Sequence, residues 1–154
     1  MNRATRAYIA GLAAGGCVVR GLRPHISMWL RDLGFRVEGD AAELPEEFCR
    51  YKPTTLLEHV YFLKGVFEAH GELFLADPHG GDMVLIIRLW DRRVRNSLSL
   101  LGIRPLETTD EGGQRRFTVV YRRRDVARFI KFVKPVIDDV AIAERLGLCT
   151  PRRS

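Results

Sequence analysis

Two stretches of this chain place a glycine inside a helix-forming run, at the same point of the same pattern. Residues 8–16 open on an aromatic (Tyr8), reach Gly11 three residues later and close on glycine. Residues 62–71 do the same with Phe62, Gly65 and Gly71. Glycine in a helix interior costs about 1 kcal/mol relative to alanine, so its recurrence at equivalent places requires a compensating contact. Close approach of another backbone supplies one. Two helices packed on each other through Gly11 and Gly65 come nearer than side chains permit, as small-residue helix pairs do. The chain therefore reads as two pseudo-repeats that meet at a pair of glycine helices.

The second half is regular. Thr54 or Thr55 is suited to cap a helix running to about Ala69, with Glu58 in its first turn and Leu56, Leu57, Val60, Tyr61, Leu63, Val66 and Phe67 at helical spacing. Beyond Gly71, the β-prone runs 72–76 and 83–89 flank the turn-forming segment 77–82, a hairpin signal. A helix over 91–101 stops at Gly102. A second hairpin over 103–122 turns at 110–113, and a helix over 125–133 follows. Pro135 opens a last helix containing Val136, Ile142 and Leu146. Helix, hairpin, helix, hairpin and helix thus succeed one another.

The first half is shorter. Only residues 17–20 form a candidate strand before a helix over 24–33 that ends at Gly34. The junctions Leu33-Gly34-Phe35 and Leu101-Gly102-Ile103 look equivalent. Between the glycine motif and this junction the first half has room for about one strand and a turn fewer. Residues 35–52 are expected to hold a short strand and an acidic connection. The division is one domain over 1–149, with a truncated repeat (1–52), a complete repeat with C-terminal helix (53–149) and a tail (150–154).

The glycine-helix pair resembles the LAGLIDADG motif of homing endonucleases, intron maturases and related DNA-binding proteins. The resemblance implies an α+β fold of pseudo-twofold αββαββα repeats, here with the first repeat shortened, and a nucleic-acid partner. In that family each motif helix ends in an acid before a glycine, and the two acids hold divalent metal at the scissile phosphates. Aligned on the inner glycines, those positions are Gly16 and His70, and neither is a carboxylate. Holding Mg²⁺ takes hard oxygen ligands. The expectation is a catalytically inactive descendant with no metal and no cofactor. Mg²⁺ enters only under the alternative of an endonuclease using displaced acids, for which Glu68 is the residual candidate and Glu72, Asp77 and Asp82 lie nearby.

Charge agrees with such a partner. The 154 residues carry a formal net charge of +6, and arginine supplies most of it. Arginine suits bidentate phosphate and guanine contacts, although an arginine-rich source would give the same composition. In the family the concave sheet face follows the DNA groove. On the run 114–122, alternation assigns Phe117, Val119 and Tyr121 to a buried face and Arg116, Thr118 and Arg122 to a reading face. Arg88 and Arg104 lie on neighbouring expected strands, and Arg123 and Arg124 extend the cluster. Duplex DNA is the expected partner, RNA an alternative through the maturases, and a homodimer or protein partner remains open because a shortened saddle offers less surface.

Other classes have weaker support. No apolar run approaches the roughly 18 residues of a membrane span. The apolar segment after Arg3 has the look of a leader, but its glycine pattern recurs at Gly65, where targeting is impossible. A cytoplasmic protein is expected, with nucleoid association as an alternative. Cys17, Cys49 and Cys149 show no metal-binding spacing and are expected to be free buried thiols. No phosphate-binding glycine loop or Ser/His/Asp set is present.

Overall fold

A computed structural model of the chain describes residues 1–76, 82–136 and 142. The chain runs α1 (Arg3–Leu12), a 3₁₀ turn (Ala13–Gly15), β1 (Val18–Val19), α2 (Pro24–Asp32), β2 (Arg36–Glu38), β3 (Ala41–Glu43) and α3 (Glu46–Cys49). It continues with α4 (Leu56–His70), β4 (Gly71–Leu75), β5 (Met83–Ile87), α5 (Arg92–Leu100), β6 (Leu106–Thr109), β7 (Arg116–Val120) and α6 (Arg123–Val133).

The helix pair α1 and α4 forms the centre. Asn2 caps α1 by accepting from the Thr5 N–H at 2.8 Å. Thr55 caps α4 in a reciprocal box with Glu58, whose carboxylate also accepts from Thr54 and from the Tyr51 hydroxyl. Those donors hold the Glu58 carboxyl well below its ordinary range, near 2, with the Tyr51 hydroxyl contributing most. At the crossing, a Cβ on Gly11 would stand 2.1 Å from the Phe62 carbonyl oxygen. One on Gly65 would stand 2.0 Å from that of Tyr8. The two glycines are therefore mutual requirements of one close backbone contact. Around it, Ala7, Ala10, Phe62, Leu63 and Val66 are buried without residue.

Each repeat adds a sheet. The second is four-stranded, in the order β4-β5-β7-β6, and antiparallel throughout. The first has three strands in the order β1-β3-β2. Because β1 is antiparallel to β3, as β5 is to β7, β1 stands in the place of β5. What the first repeat lacks is the counterpart of β4 and the turn after it. The chain bridges that gap with the 3₁₀ turn and Gly16, whose φ of 140° is open to glycine alone among residues without strain.

The α+β architecture of a shortened and a complete repeat around a glycine-helix pair is the one expected, with corrections of detail. Residues 35–52 hold more than a strand and a connection: β2 and β3 form a hairpin that turns at Gly39 (φ 60°), and α3 follows. Cys17 and Cys49 are not free thiols. They are joined as a disulfide with Cα atoms 5.9 Å apart, which ties the start of the first sheet to α3. Residues 77–81 of the turn expected over 77–82, most of the helix expected after Pro135, Cys149 and the tail 150–154 lie outside the described residues. Within them, no helix is long and apolar enough to cross a membrane.

Candidate nucleic-acid interface

Directly paired residues of an antiparallel sheet point to the same side, so register assigns the two faces of the second sheet. Leu73, Leu85 and Val120 form one row and Ile87 and Thr118 another, all buried against the helices. The opposite face is uncovered among the described residues. Across it run Phe74 and Val84, then Glu72, Ile86, Val119 and Leu106, then Phe117 and Thr108. Continuing the register by one pair sets Tyr121 opposite Val84 and Arg88 opposite Phe117.

This reverses the faces expected for β7. Phe117, Val119 and Tyr121 belong to the open face, and Thr118 and Val120 to the core. Thr118 is fully buried, its hydroxyl donating to the Leu89 carbonyl oxygen at 2.7 Å, so it is unavailable to a ligand. Arg116 lies on the helix side at the sheet edge, ion-paired with Glu107 and near the Trp90 ring. The strand carries β-branched or aromatic residues on both faces, so alternation alone left its orientation ambiguous. A threonine with a carbonyl in reach serves as a core residue.

The remaining arginines divide by position. Arg88 stands on the open face and pairs with Glu72 at 3.3 Å. Arg123 pairs with Asp82 at 2.8 Å. Arg104, Arg122 and Arg124 converge with Asp125 on a cavity of about 350 Å³ between the start of β6 and the start of α6. This cavity lies at the end of the sheet that carries Tyr121, and the Arg122 guanidinium is 6.0 Å from the Tyr121 ring centroid. The Asp125 carboxylate accepts from the Arg104 backbone N–H at 3.4 Å, holding the loop before β6 against α6.

The ends of the central helices are built differently. Gly16 offers no side chain. His70 is turned back across the interface, its Nε2 at 3.1 Å from the Leu12 carbonyl oxygen, which as an acceptor requires the proton on Nε2. Burial lowers the pKa of His70, against the Leu12 carbonyl, which raises it. Glu68 accepts from the Tyr8 hydroxyl on the flank of the helix pair. Burial, then Glu68, raises the pKa of Tyr8 far above its usual value. Tested against the Mg²⁺ that the fold family implies, these residues do not fit: Gly16 has no donor, the His70 imidazole is engaged with a carbonyl, Glu68 is engaged with a phenol, and Glu72 and Asp82 are paired with Arg88 and Arg123.

The sequence favours the core for Phe74 over a stacking role and sets Tyr121 on a buried face, and it gives Leu106 no role; all three belong to the open face. Phe74, Leu106 and Tyr121 are 40, 50 and 48% exposed. The available signal was the doubly apolar pattern of β5 and β7 next to a motif-bearing helix.

No family profile matches the sequence, and no curated protein matches it. Solved structures do. The N-terminal LAGLIDADG domain of DUF199/WhiA aligns over 93% of this chain and 87% of its own, with a TM-score of 0.67 at 15% identity. Full-length DUF199/WhiA from Thermatoga maritima aligns over 94% of this chain and 60% of its own, with a TM-score of 0.63 at 16% identity. The homing endonuclease I-DmoI, solved with DNA and Mn, aligns over 88% and 99%, with a TM-score of 0.53 at 16% identity. This chain has the LAGLIDADG homing-endonuclease-like fold.

Proposed function

We propose that this protein binds nucleic acid, DNA ahead of RNA, through the open side of its second sheet, and that it does not cleave it. One observation carries the reading: the sheet face that the described residues leave uncovered ends at Arg104, Arg122 and Arg124, which line a cavity of about 350 Å³ together with Asp125. Three arginines around one aspartate leave this cavity a net positive charge, which an anion stabilises, and the phosphate backbone is an anion that arginine meets with bidentate geometry. The I-DmoI structure holds DNA on the same fold, which supports the choice of ligand. Inactivity is supported by the helix ends, where Gly16 has no ligand and the His70 ring is engaged with the Leu12 carbonyl. A location in the cytoplasm beside the nucleoid accords with that role.

The test is a titration with labelled duplex DNA at ~50 and ~200 mM salt, with Mg²⁺ present and the products run on a denaturing gel. Three or four phosphate contacts predict an affinity loss of roughly forty- to a hundred-and-fiftyfold between the two salts. The gel should show intact DNA. Metal-dependent cleavage that disappears in Glu68→Gln would replace inactivity with a displaced site. Failure to bind any nucleic acid at low salt would end the reading.

A further inference from the structure

From the chemistry of the open sheet face, we infer that its ligand is a single strand, with unpaired bases lying on Phe74, Tyr121 and Phe117 and the backbone anchored at the Arg104, Arg122 and Arg124 cavity. The inference rests on the nucleic-acid reading above and specifies the form of its ligand.

Reading a major groove takes hydrogen-bonding side chains aimed at base edges. This face offers few. Its middle row is Ile86, Val119 and Leu106 beside Glu72, and Glu72 is already paired with Arg88. Pressed against a duplex, these aliphatic residues would strip water from donors and acceptors without replacing their bonds. The flat face of an unpaired base makes no such demand. It is apolar, it stacks on aromatic rings, and every base has one.

The spacing fits. Phe74 and Tyr121 face the same side on β4 and just beyond β7, with only β5 between them. That separates them by two strand spacings, about 10 Å. Phe117 and Tyr121 are four residues apart on one strand, about 13 Å. Three rings so placed can each take one base of a splayed strand, the arrangement by which other four-stranded sheets stack two or three bases. The charge falls where the backbone would leave the platform. Arg122 lies 6.0 Å from the Tyr121 ring centroid and also lines the cavity with Arg104 and Arg124. Phosphate there and a base on Tyr121 are neighbouring parts of one nucleotide chain. A protein partner would use the apolar rows but leave the convergent arginines unexplained, whereas a single strand uses both.

The experiment is fluorescence anisotropy of the full chain with a labelled mixed-sequence 12-mer as single-stranded DNA, as single-stranded RNA and as the DNA duplex, at ~50 mM salt. Either single strand should bind at least about tenfold tighter than the duplex, and the DNA and RNA arms identify the natural sugar. Phe74→Ala and Tyr121→Ala should each weaken single-strand binding by roughly tenfold and leave duplex binding within about twofold. Both side chains are substantially exposed, so an unchanged melting temperature will show that the variants fold. The Arg104→Glu/Arg122→Glu variant should weaken every nucleic acid. Equal or tighter duplex binding, indifferent to the aromatic substitutions, would overturn this inference while leaving the proposed function standing. Sedimentation showing a dimer that Tyr121→Ala dissociates, with no preference for single strands, would assign the face to a second copy and overturn it as well. No binding to any of the three ligands would overturn both readings.

Discussion

The two repeats share a frame and differ in what they build on it. Both contribute a glycine helix to the centre, and both follow their second-position helix with the same stop. At the end of α2, Gly34 donates to the Arg31 carbonyl and Phe35 to that of Leu30. At the end of α5, Gly102 donates to the Ser99 carbonyl and Ile103 to that of Leu98. These are matching helix-terminating hydrogen-bond pairs around a glycine of positive φ. The strands do not match. The second repeat has four of four to five residues, the first three of two or three. The frame persists because each repeat's glycine needs the other's. The sheet is freer to shrink, because an edge strand can be lost with its turn while β1 still pairs with β3. In this molecule the half that kept a full sheet also carries the open face and the convergent arginines.

The largest effect should come from the feature the repeats hold in common. Gly65→Ala drives a methyl to within 2.0 Å of the Tyr8 carbonyl oxygen, and Gly11→Ala brings one to 2.1 Å from that of Phe62. The obstacles are backbone atoms of packed helices, which no rotamer change can clear. Each substitution should therefore destabilise by more than about 3 kcal/mol. Urea denaturation of the two variants checks both the size and the symmetry. A loss below ~1 kcal/mol in either would mean that the helices separate easily, and that the glycines are not what holds the repeats together.

This feature was legible in the sequence because a glycine in a helix interior has few reasons to be there. The helix junctions at Gly34 and Gly102 were legible for the same cause, and so was the shortening of the first repeat, which is a matter of counting residues. The hairpin β2–β3 was missed. Its strands are three residues each and carry little apolar pattern. The orientation of β7 was also missed. Thr118 and Arg116 looked like one polar face, yet the threonine hydroxyl finds the Leu89 carbonyl in the core and the arginine finds Glu107 at the edge. Local polarity predicts a face only where the interior offers no partner. For the same reason the candidate interface was half seen: its arginines stand out in a sequence, whereas an open face of valine and isoleucine looks like a core.

A medium effect separates the helix ends. The second repeat ends in a side chain that reaches the first, since the Nε2–H of His70 satisfies the Leu12 carbonyl, one of the last in α1. The first repeat returns nothing from Gly16. His70→Gln should cost about 1–2 kcal/mol through that lost bond and the altered packing against Gly15. The pH dependence has a definite sign. Burial makes the folded protein hold His70 neutral below the ordinary 6.5, so the unfolded chain binds the extra proton first as pH falls. His70's contribution is full above about 6.5 and declines below it. His59, also lowered by burial, has the same sign and is common to both proteins. Between pH 7.5 and 5.5 the wild type should therefore lose more stability than His70→Gln. Equal losses would show that His70 does not titrate with folding.

The smallest effect asks how equal the repeats remain where their backbones agree. Gly34 has a φ of 96° and open space around its missing Cβ. Gly102 has a φ of 76°, and a Cβ there would meet the Arg128 Nη1 at 2.3 Å. A non-glycine residue enters the left-handed region most readily near 57°, so backbone strain weighs more on Gly34→Ala. The steric term weighs on Gly102→Ala, but lightly. Arg128 is half-buried, but its contact there is a 3.3 Å hydrogen bond from the end of a flexible side chain to the Gly102 carbonyl. The guanidinium can swing into water and give up that bond for about 0.5 kcal/mol. Strain at one junction and a displaced arginine at the other thus offset, and each alanine should cost about 1 kcal/mol, with the two within roughly 0.5 kcal/mol of each other. Gly102→Ala in an Arg128→Ala background isolates the steric part. If the two junctions are structurally equivalent, removing the arginine makes Gly102→Ala the milder substitution of the pair. If it stays the costlier one, the second repeat's junction carries a constraint that the first has shed along with its strand.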